Sequence, residues 1–442
     1  MYLFVDLGVL GKTDRIVMQN SVDKQVTRTP IGFRAFLLMI LFSVFYLYRV
    51  NVSNVHLTLF RIALLITFIL TVTGVLFGRI KIYRTYLFLY VFIFADLALS
   101  AFDIIRSQSN PLIVKVILGH IVALGVLWVS VMQLNTEIRI VKAVKWYVYA
   151  SIIAAGITIY TLGTGNMPFP QFVPNLAGTD LSLTSMPAKF LGIIPRATAA
   201  FYDPTFYGLF LCICLCFAVF YRQWIAKSAL MNILIIVDLI MLVATLSRTA
   251  WIGIVVLAVF VYVYIFRARL RVVAAGLLLI VIVLGITLSI GISGSQNFDK
   301  VSEVGSLQSF VSREMYWNAG LSEFISRPLF GGGSKRLGEA VGGTPSAHIV
   351  YLSWLAKYGI IGFLIYGAFF FYPIVYVLFK RSLSVRYRFL ILGVMCPMAV
   401  MYLGYDFFND LDIEYLAFGI VYAIVLNRIG CKQNLLPVST VV

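Results

Sequence analysis

Apolar residues in this chain do not alternate with polar ones. They run together in blocks, and many blocks approach the ~20 residues an α-helix needs to cross the hydrocarbon of a bilayer. The runs fall at 35–48, 57–77, 84–103, 112–132, 145–163, 205–221, 229–246, 249–266, 272–292, 350–379 (broken at Gly359), 389–406 and 412–427. Read as helices they predict about twelve spans and an all-α, polytopic integral membrane protein. The connection between the runs ending at 246 and beginning at 249 is a tight turn, LSRTAW. Two other connections, 163–202 and 293–347, are long and rich in Gly, Pro, Ser and Thr, as loops are.

Composition agrees with the pattern. Hydrophobic residues make up 61% of 442 and charged residues 12%, against about 45–50% and roughly 25% in soluble domains. Mean hydropathy is +0.96. The first 34 residues are polar and basic and do not read as a cleaved secretory signal. A net charge of +17 would suit nucleic acid if it formed one patch, but it follows the connections instead. Starting from a cytoplasmic N-terminus, alternate connections carry Arg79, Lys81 and Arg84; Arg139, Lys142 and Lys145; Arg222 and Lys227; Arg267, Arg269 and Arg271; and Lys380, Arg381, Arg386 and Arg388. That is the distribution cytoplasmic loops show. It predicts a cytoplasmic segment 1–34, helices 1–5 over 35–163, an external loop 164–204, helices 6–9 over 205–292, a large external loop 293–347, helices 10–12 over 348–427, and a cytoplasmic tail 428–442.

Some cations fall on the side that normally avoids them. Lys189, Arg196, Lys300, Arg313, Arg327, Lys335 and Arg336 lie in the long external loops, and Arg248 lies in the tight external turn. An anionic ligand at the outer membrane face accounts for them. Arginine matches phosphate oxygens with a planar, charge-assisted fork, and several arginines together stabilise a diphosphate leaving group. Within the second loop, residues 306–326 read as an amphipathic helix carrying Arg313 and Trp317 as i,i+4 neighbours. It is expected at the outer interface, with Gly331, Gly332 and Gly333 as a flexible turn after it. One of the three histidines, His348, follows that loop. Pro345 and Ser346 are expected to start a helix there, with His348 on the face of Tyr351, Leu352 and Leu355. Histidine accepts a proton from an attacking hydroxyl near neutral pH, and this chemistry requires no metal or other cofactor.

Four pieces occur in order: Arg196 with Tyr202, Asp203 and Pro204; Ser247 with Arg248; Arg313 and Trp317 ahead of Pro328 and Gly331; and His348, Tyr351 and Leu352 ahead of Gly359 and Gly362. In this the chain resembles the superfamily of O-antigen ligases and polysaccharide polymerases. The resemblance implies a membrane glycosyltransferase related in fold to the GT-C class, working at the outer face of the bacterial inner membrane. It implies an undecaprenyl-diphosphate-linked glycan as donor and, as acceptor, a lipid-linked repeat or lipid A-core. Transfer would be metal-independent and inverting. Membrane lipids, a chain-length regulator and a flippase are the partners it implies. By position, Arg196, Arg248 and Arg313 would hold the diphosphate and His348 would activate the acceptor hydroxyl, supported by Asp203, Tyr351 and Trp317. Relatives often carry Asn directly after the histidine. Here that position is Ile349, which passes any orienting task to another group, with Tyr351 one turn on.

Ligase and polymerase remain open, with a lean to polymerase only because polymerases are the more numerous. The non-enzymatic alternative is a flippase or transporter for lipid-linked oligosaccharides. Its support is Asp96, His120 and Asp238 inside apolar runs, where ionisable groups are costly and often functional. The expectation is that they pair between helices. Bland readings stand beside the sharp ones elsewhere. Asp203 before Pro204 has the sequence of a helix N-cap. Cys212, Cys214 and Cys216 lack metal-ligand spacing and read as small core residues. Lys335 follows three glycines, but the phosphate-loop pattern is not met.

Overall fold

A computed structural model of the chain describes residues 30–45, 49–52, 55–107, 111–174, 180–185, 189–190, 194–199, 201, 203–222, 228–266, 305–341, 346–380, 383–404 and 412–427. The helices among them are α1 (Ile31–Phe42), α2 (Leu59–Leu76), α3 (Leu87–Arg106), α4 (Pro111–Gln133), α5 (Glu137–Thr164), α6 (Pro204–Phe220), α7 (Ser228–Ala244) and α8 (Arg248–Phe266). They continue with α9 (Gly305–Ser326), α10 (Gly333–Val341), α11 (Val350–Phe379), α12 (Val385–Met401) and α13 (Asp412–Leu426). Helices thus stand at eleven of the apolar runs, α1–α8 and α11–α13. The run 272–292, residues 1–29 of the N-terminal basic segment, Tyr202, Lys300, Pro345 and the C-terminal tail lie outside the described residues.

Four helical stretches, Leu59–Leu76, Arg84–Arg106, Glu137–Thr164 and Val350–Phe379, are long and apolar enough to cross a membrane. Further apolar helical stretches among the described residues, Leu118–Gln133 of α4 and Arg248–Tyr264 of α8 among them, run 10–17 residues. Large apolar side chains such as Leu65, Ile69, Phe94, Ile240 and Leu364 are exposed along the helices, as lipid-facing positions require. The helical class therefore holds, with one addition. Three two-stranded antiparallel ribbons sit in connecting segments: Arg49–Val52 with Val55–Thr58, Asn166–Pro174 with Asp180–Ser185, and Lys189–Phe190 with Ile194–Pro195.

α6 runs through the middle of the bundle. It is apolar on every side and buried almost throughout, as a helix without a polar face must be. Cys212, Cys214 and Cys216 point to three different neighbours. Their thiols donate to the carbonyls of Ala250 on α8 (3.8 Å), Tyr147 on α5 (3.8 Å) and Leu390 on α12 (3.7 Å). They are core residues, as the spacing predicts. Close helix approach depends on missing side chains: a Cβ on Gly208 would sit 2.3 Å from that of Ala250.

The intramembrane ionisable groups pair across helices. His120 Nε2 on α4 lies 3.3 Å from Asp96 Oδ2 on α3 and 2.8 Å from the Tyr415 hydroxyl on α13. Tyr366 on α11 donates to Asp96 Oδ1 at 2.6 Å. Asp238 on α7 accepts from Ser151 on α5 at 3.2 Å. Each carboxylate thus replaces part of its lost hydration with a bond between helices.

Three local expectations around the second loop need correction. The helix after it begins at Val350, with Ile349 extended as its N-cap and His348 left-handed (φ 55°). His348 therefore precedes the helix and does not share a helical face with Tyr351. The glycine turn is not loose. The Gly332 amide donates to the Ala356 carbonyl (2.7 Å), and the Ile360 amide to that of Pro328 (2.8 Å). Lys335 and Arg336 then belong to a helix, α10, in place of the expected loop. The break at Gly359 is present: φ 64°, ψ −163° inside α11, where a Cβ would meet the Leu329 carbonyl oxygen at 2.3 Å. Only glycine fits that conformation and that approach. Gly362 continues the helix.

Candidate functional site

One end of the bundle gathers the ends of α3, α7 and α12 and the beginnings of α6, α8 and α11, with α9 and α10 laid against them. The segment before α6 docks first. Arg196 Nε donates to the Thr245 carbonyl at 2.9 Å, and an Nη to that of Leu246 at 3.3 Å. The Ala197 amide adds a bond to the Ala244 carbonyl at 2.9 Å. These contacts hold the sharp turn between α7 and α8, where Leu246 is left-handed (φ 49°). Ser247 enters α8, taking the Ala250 amide on its hydroxyl at 3.4 Å and meeting Thr205 of α6 at 3.3 Å. Arg248 follows as the first residue of α8 and is exposed. A cation at the positive end of a helix gains nothing from the helix dipole, so its place there is not explained by helix stability.

Asp203 is the N-cap of α6, with its carboxylate accepting from the Thr205 amide at 2.6 Å. The capping reading of this residue is thus the one its hydrogen bond supports. On the other side of the site, α9 spans the expected amphipathic segment and docks on α11 and α10. Its Tyr316 ring meets the His348 imidazole edge to face, centroids 4.4 Å apart. Arg313 and Trp317 lie three residues before and one residue after Tyr316 on the same helix, both partly buried. Gly320 lets α9 approach the Ala347 Cβ beside the histidine, where an added Cβ would come within 2.8 Å.

The two halves join through the end of α12. The Val350 amide donates to the Tyr402 carbonyl (3.1 Å), and the Tyr351 hydroxyl to that of Ala399 (3.0 Å). Beyond them Gly404 abuts Thr249, next to Arg248. So Arg196 and Arg248 share one turn, and Arg313, Trp317, His348 and Tyr351 share the contact between α9 and α11. The contribution of Tyr316 and of the α12 end was not legible in the sequence, where Tyr316 reads as the apolar side of an amphipathic helix and the α12 end as part of an apolar run. Among the described non-glycine residues, all three left-handed ones, Ala199, Leu246 and His348, fall in this region. Residues held in such backbone conformations cluster at functional sites.

Residues 233–367 match the family model described as O-antigen ligase. The likeness to the O-antigen ligase family rests on this segment. The ligase segment carries Arg248, Arg313, Trp317, His348 and Tyr351, while Arg196 and Asp203 precede it. No curated protein matches the chain. The family match and the apolar helices together support a multi-pass membrane enzyme that handles polysaccharide.

Proposed function

We propose that the protein transfers a glycan from undecaprenyl diphosphate to a glycan acceptor at the outer face of the bacterial inner membrane, without metal and with inversion. The observation that carries this reading is His348. It sits in the ligase segment, held left-handed between α9 and α11, at the end of the bundle that also holds Arg196, Arg248 and Arg313. In the reaction, the acceptor hydroxyl gives its proton to His348 as its oxygen attacks the anomeric carbon. The bond from that carbon to the diphosphate oxygen breaks with inversion. Undecaprenyl diphosphate leaves with the electron pair, its charge met by Arg248 and Arg313. Arg196, anchored on the turn carbonyls, sets the position of Arg248 and adds to the same positive field. Tyr351 and Trp317 line the approach to His348, and Asp203 fixes the start of α6.

The assay that tests this uses purified protein in detergent with lipid-linked donor and acceptor. Transfer should occur there, where no vectorial transport is possible, and should be lost in His348→Ala. Near-normal transfer by that well-folded variant would remove the assignment. The buried cluster of Asp96, His120, Tyr366 and Tyr415 favours the second reading, a flippase with a proton relay. In that case the detergent assay shows no transfer even with the wild-type chain. Ligase and polymerase differ in acceptor. A deletion strain leaving a single repeat on the final acceptor identifies a polymerase. One leaving long lipid-linked chains and a bare acceptor identifies a ligase.

A further inference from the structure

Beside this site, between the end of α3 and the turn joining α9 to α10, lies a cavity of about 250 Å³ lined by Asp103, Arg106, Arg327, Lys335, Arg336 and Glu339. A second cavity of about 330 Å³ adjoins it, shares Arg106 and Arg327, and is otherwise lined by Pro328, Leu329, Phe330 and Gly331. The pair forms one notch with a cationic half and an apolar half. The cationic half is built. Arg106 donates to the carbonyls of Phe330 (3.1 Å) and Gly331 (2.9 Å), which fixes its guanidinium, and it feels the like charges of Arg327 and Arg336 against the single opposite charge of Asp103. Crowded cations of this kind are relieved by an oxyanion between them.

Asp103 adds a second requirement. It is only 2% exposed, and its Oδ1 accepts from the Ser334 amide at 2.9 Å. Its Oδ2 is buried with no hydrogen-bond partner among the described residues. A bare phosphate would be repelled by that oxygen, whereas a sugar hydroxyl would donate to it. A ligand carrying both a phosphate and an adjacent sugar satisfies the two halves of the cationic pocket together. The apolar half, with the exposed side chains of Phe102, Ile105, Leu329 and Phe330 around it, takes the start of a lipid chain.

We propose that this notch binds the phosphate-linked sugar head of a second lipid, the glycan acceptor, separately from the diphosphate donor at Arg248 and Arg313. The proposal rests on the transferase reading above. A transferase acting between two lipid-borne substrates needs two anionic head-group sites side by side. Here the glycine turn that walls the notch is pinned to α11, the helix that follows His348.

The test titrates the purified full chain in detergent with undecaprenyl diphosphate carrying one hexose, counting bound lipids by native mass spectrometry. Wild type should bind two. Arg327→Gln with Arg336→Gln, both exposed positions, should weaken one of them tenfold or more without lowering the unfolding temperature, and the corresponding lysine pair should restore most of it. Asp103→Asn should weaken the hexose-bearing lipid but not undecaprenyl phosphate. Two lipids bound at unchanged affinity in the glutamine pair would overturn the proposal. So would equal occupancy of the notch by inorganic pyrophosphate, the sign of a free-phosphate site, or by phosphatidylglycerol, the sign of an ordinary membrane lipid. Arg248→Ala should lose the other lipid. If it keeps both while the glutamine pair loses one, the notch stands and the donor assignment falls.

Discussion

The two ends of the helix bundle are made of similar parts used differently. At one end, Glu137 at the start of α5 takes Arg386 of α12 at 2.7 Å and the Tyr387 hydroxyl at 2.7 Å. Arg139 donates to the Gln133 carbonyl, and Arg388 to those of Leu383 and Lys380. Asn427 reaches the Leu134 carbonyl at 3.0 Å and accepts from Tyr86. The cations there tie helix ends together, with unstrained backbone at the non-glycine positions described. At the other end, a cation opens α8, four more ring a cavity, and the chain turns left-handed at Ala199, Leu246 and His348. The contrast teaches that charge alone does not mark a site. Charge together with conformations that cost ~1–3 kcal/mol each does.

The comparison breaks most sharply at Arg248 and Arg313. Alanine at either should lower the rate of glycan transfer about 10²–10³-fold, the scale for removing a donor that stabilises developing negative charge. Lysine at Arg248 should recover part of it. A loss below threefold for both in a purified assay would mean that these arginines are merely solvated. Next in size is Gly359→Ala, which forces a side chain into the Leu329 carbonyl. It should destabilise the protein by more than the ~1–3 kcal/mol of the backbone conformation alone, read as a large drop in the unfolding temperature in detergent. An unchanged temperature would mean the turn is not pinned.

At the tied end, Glu137→Gln removes the charge that Arg386 and Tyr387 share. A hydrogen bond to a charged group contributes about 1.5–3 kcal/mol. The partial exposure of this pair, 15% and 25%, puts the expected loss at or below the low end of that range. Transfer per folded molecule should not change; a fall would show that the two ends are coupled. The smallest effect is expected from Leu246→Gly. It relieves a left-handed leucine and should stabilise the fold by about 1 kcal/mol, while loosening the turn that Arg196 holds and lowering transfer severalfold. A gain in stability with full activity would show that the strain has no role in the reaction.

Much of this was legible in the chain because hydrophobic run length and Lys/Arg placement are local and strong. α1–α8 and α11–α13 follow the apolar runs, and Arg248 stands out as a cation in a turn expected to be external. Arg106 ends the helix over the run 84–103, and the same charge argument applies to it. A single cation at a helix end ordinarily reads as an interfacial anchor, so the sequence does not single it out. His348 was found as a residue type in a family pattern, but its backbone was not. Helical hydropathy cannot reveal a left-handed residue, and the helix expected from Pro345 and Ser346 begins only at Val350.

The sequence by itself determined the class of the protein, the positions of its apolar helices, the amphipathic segment with Arg313, and a set of cations in unusual places. Burying apolar runs in lipid leaves little freedom in those matters. Only the tertiary structure decided what each cation touches: Arg196 on the carbonyls of Thr245 and Leu246, Arg106 on those of Phe330 and Gly331, and Arg386 on Glu137. It also decided that Tyr316 lies against His348 and that Asp103 faces the cationic notch. Such pairings join residues tens to hundreds of positions apart. They follow from how helix ends meet, which periodicity along one segment does not encode.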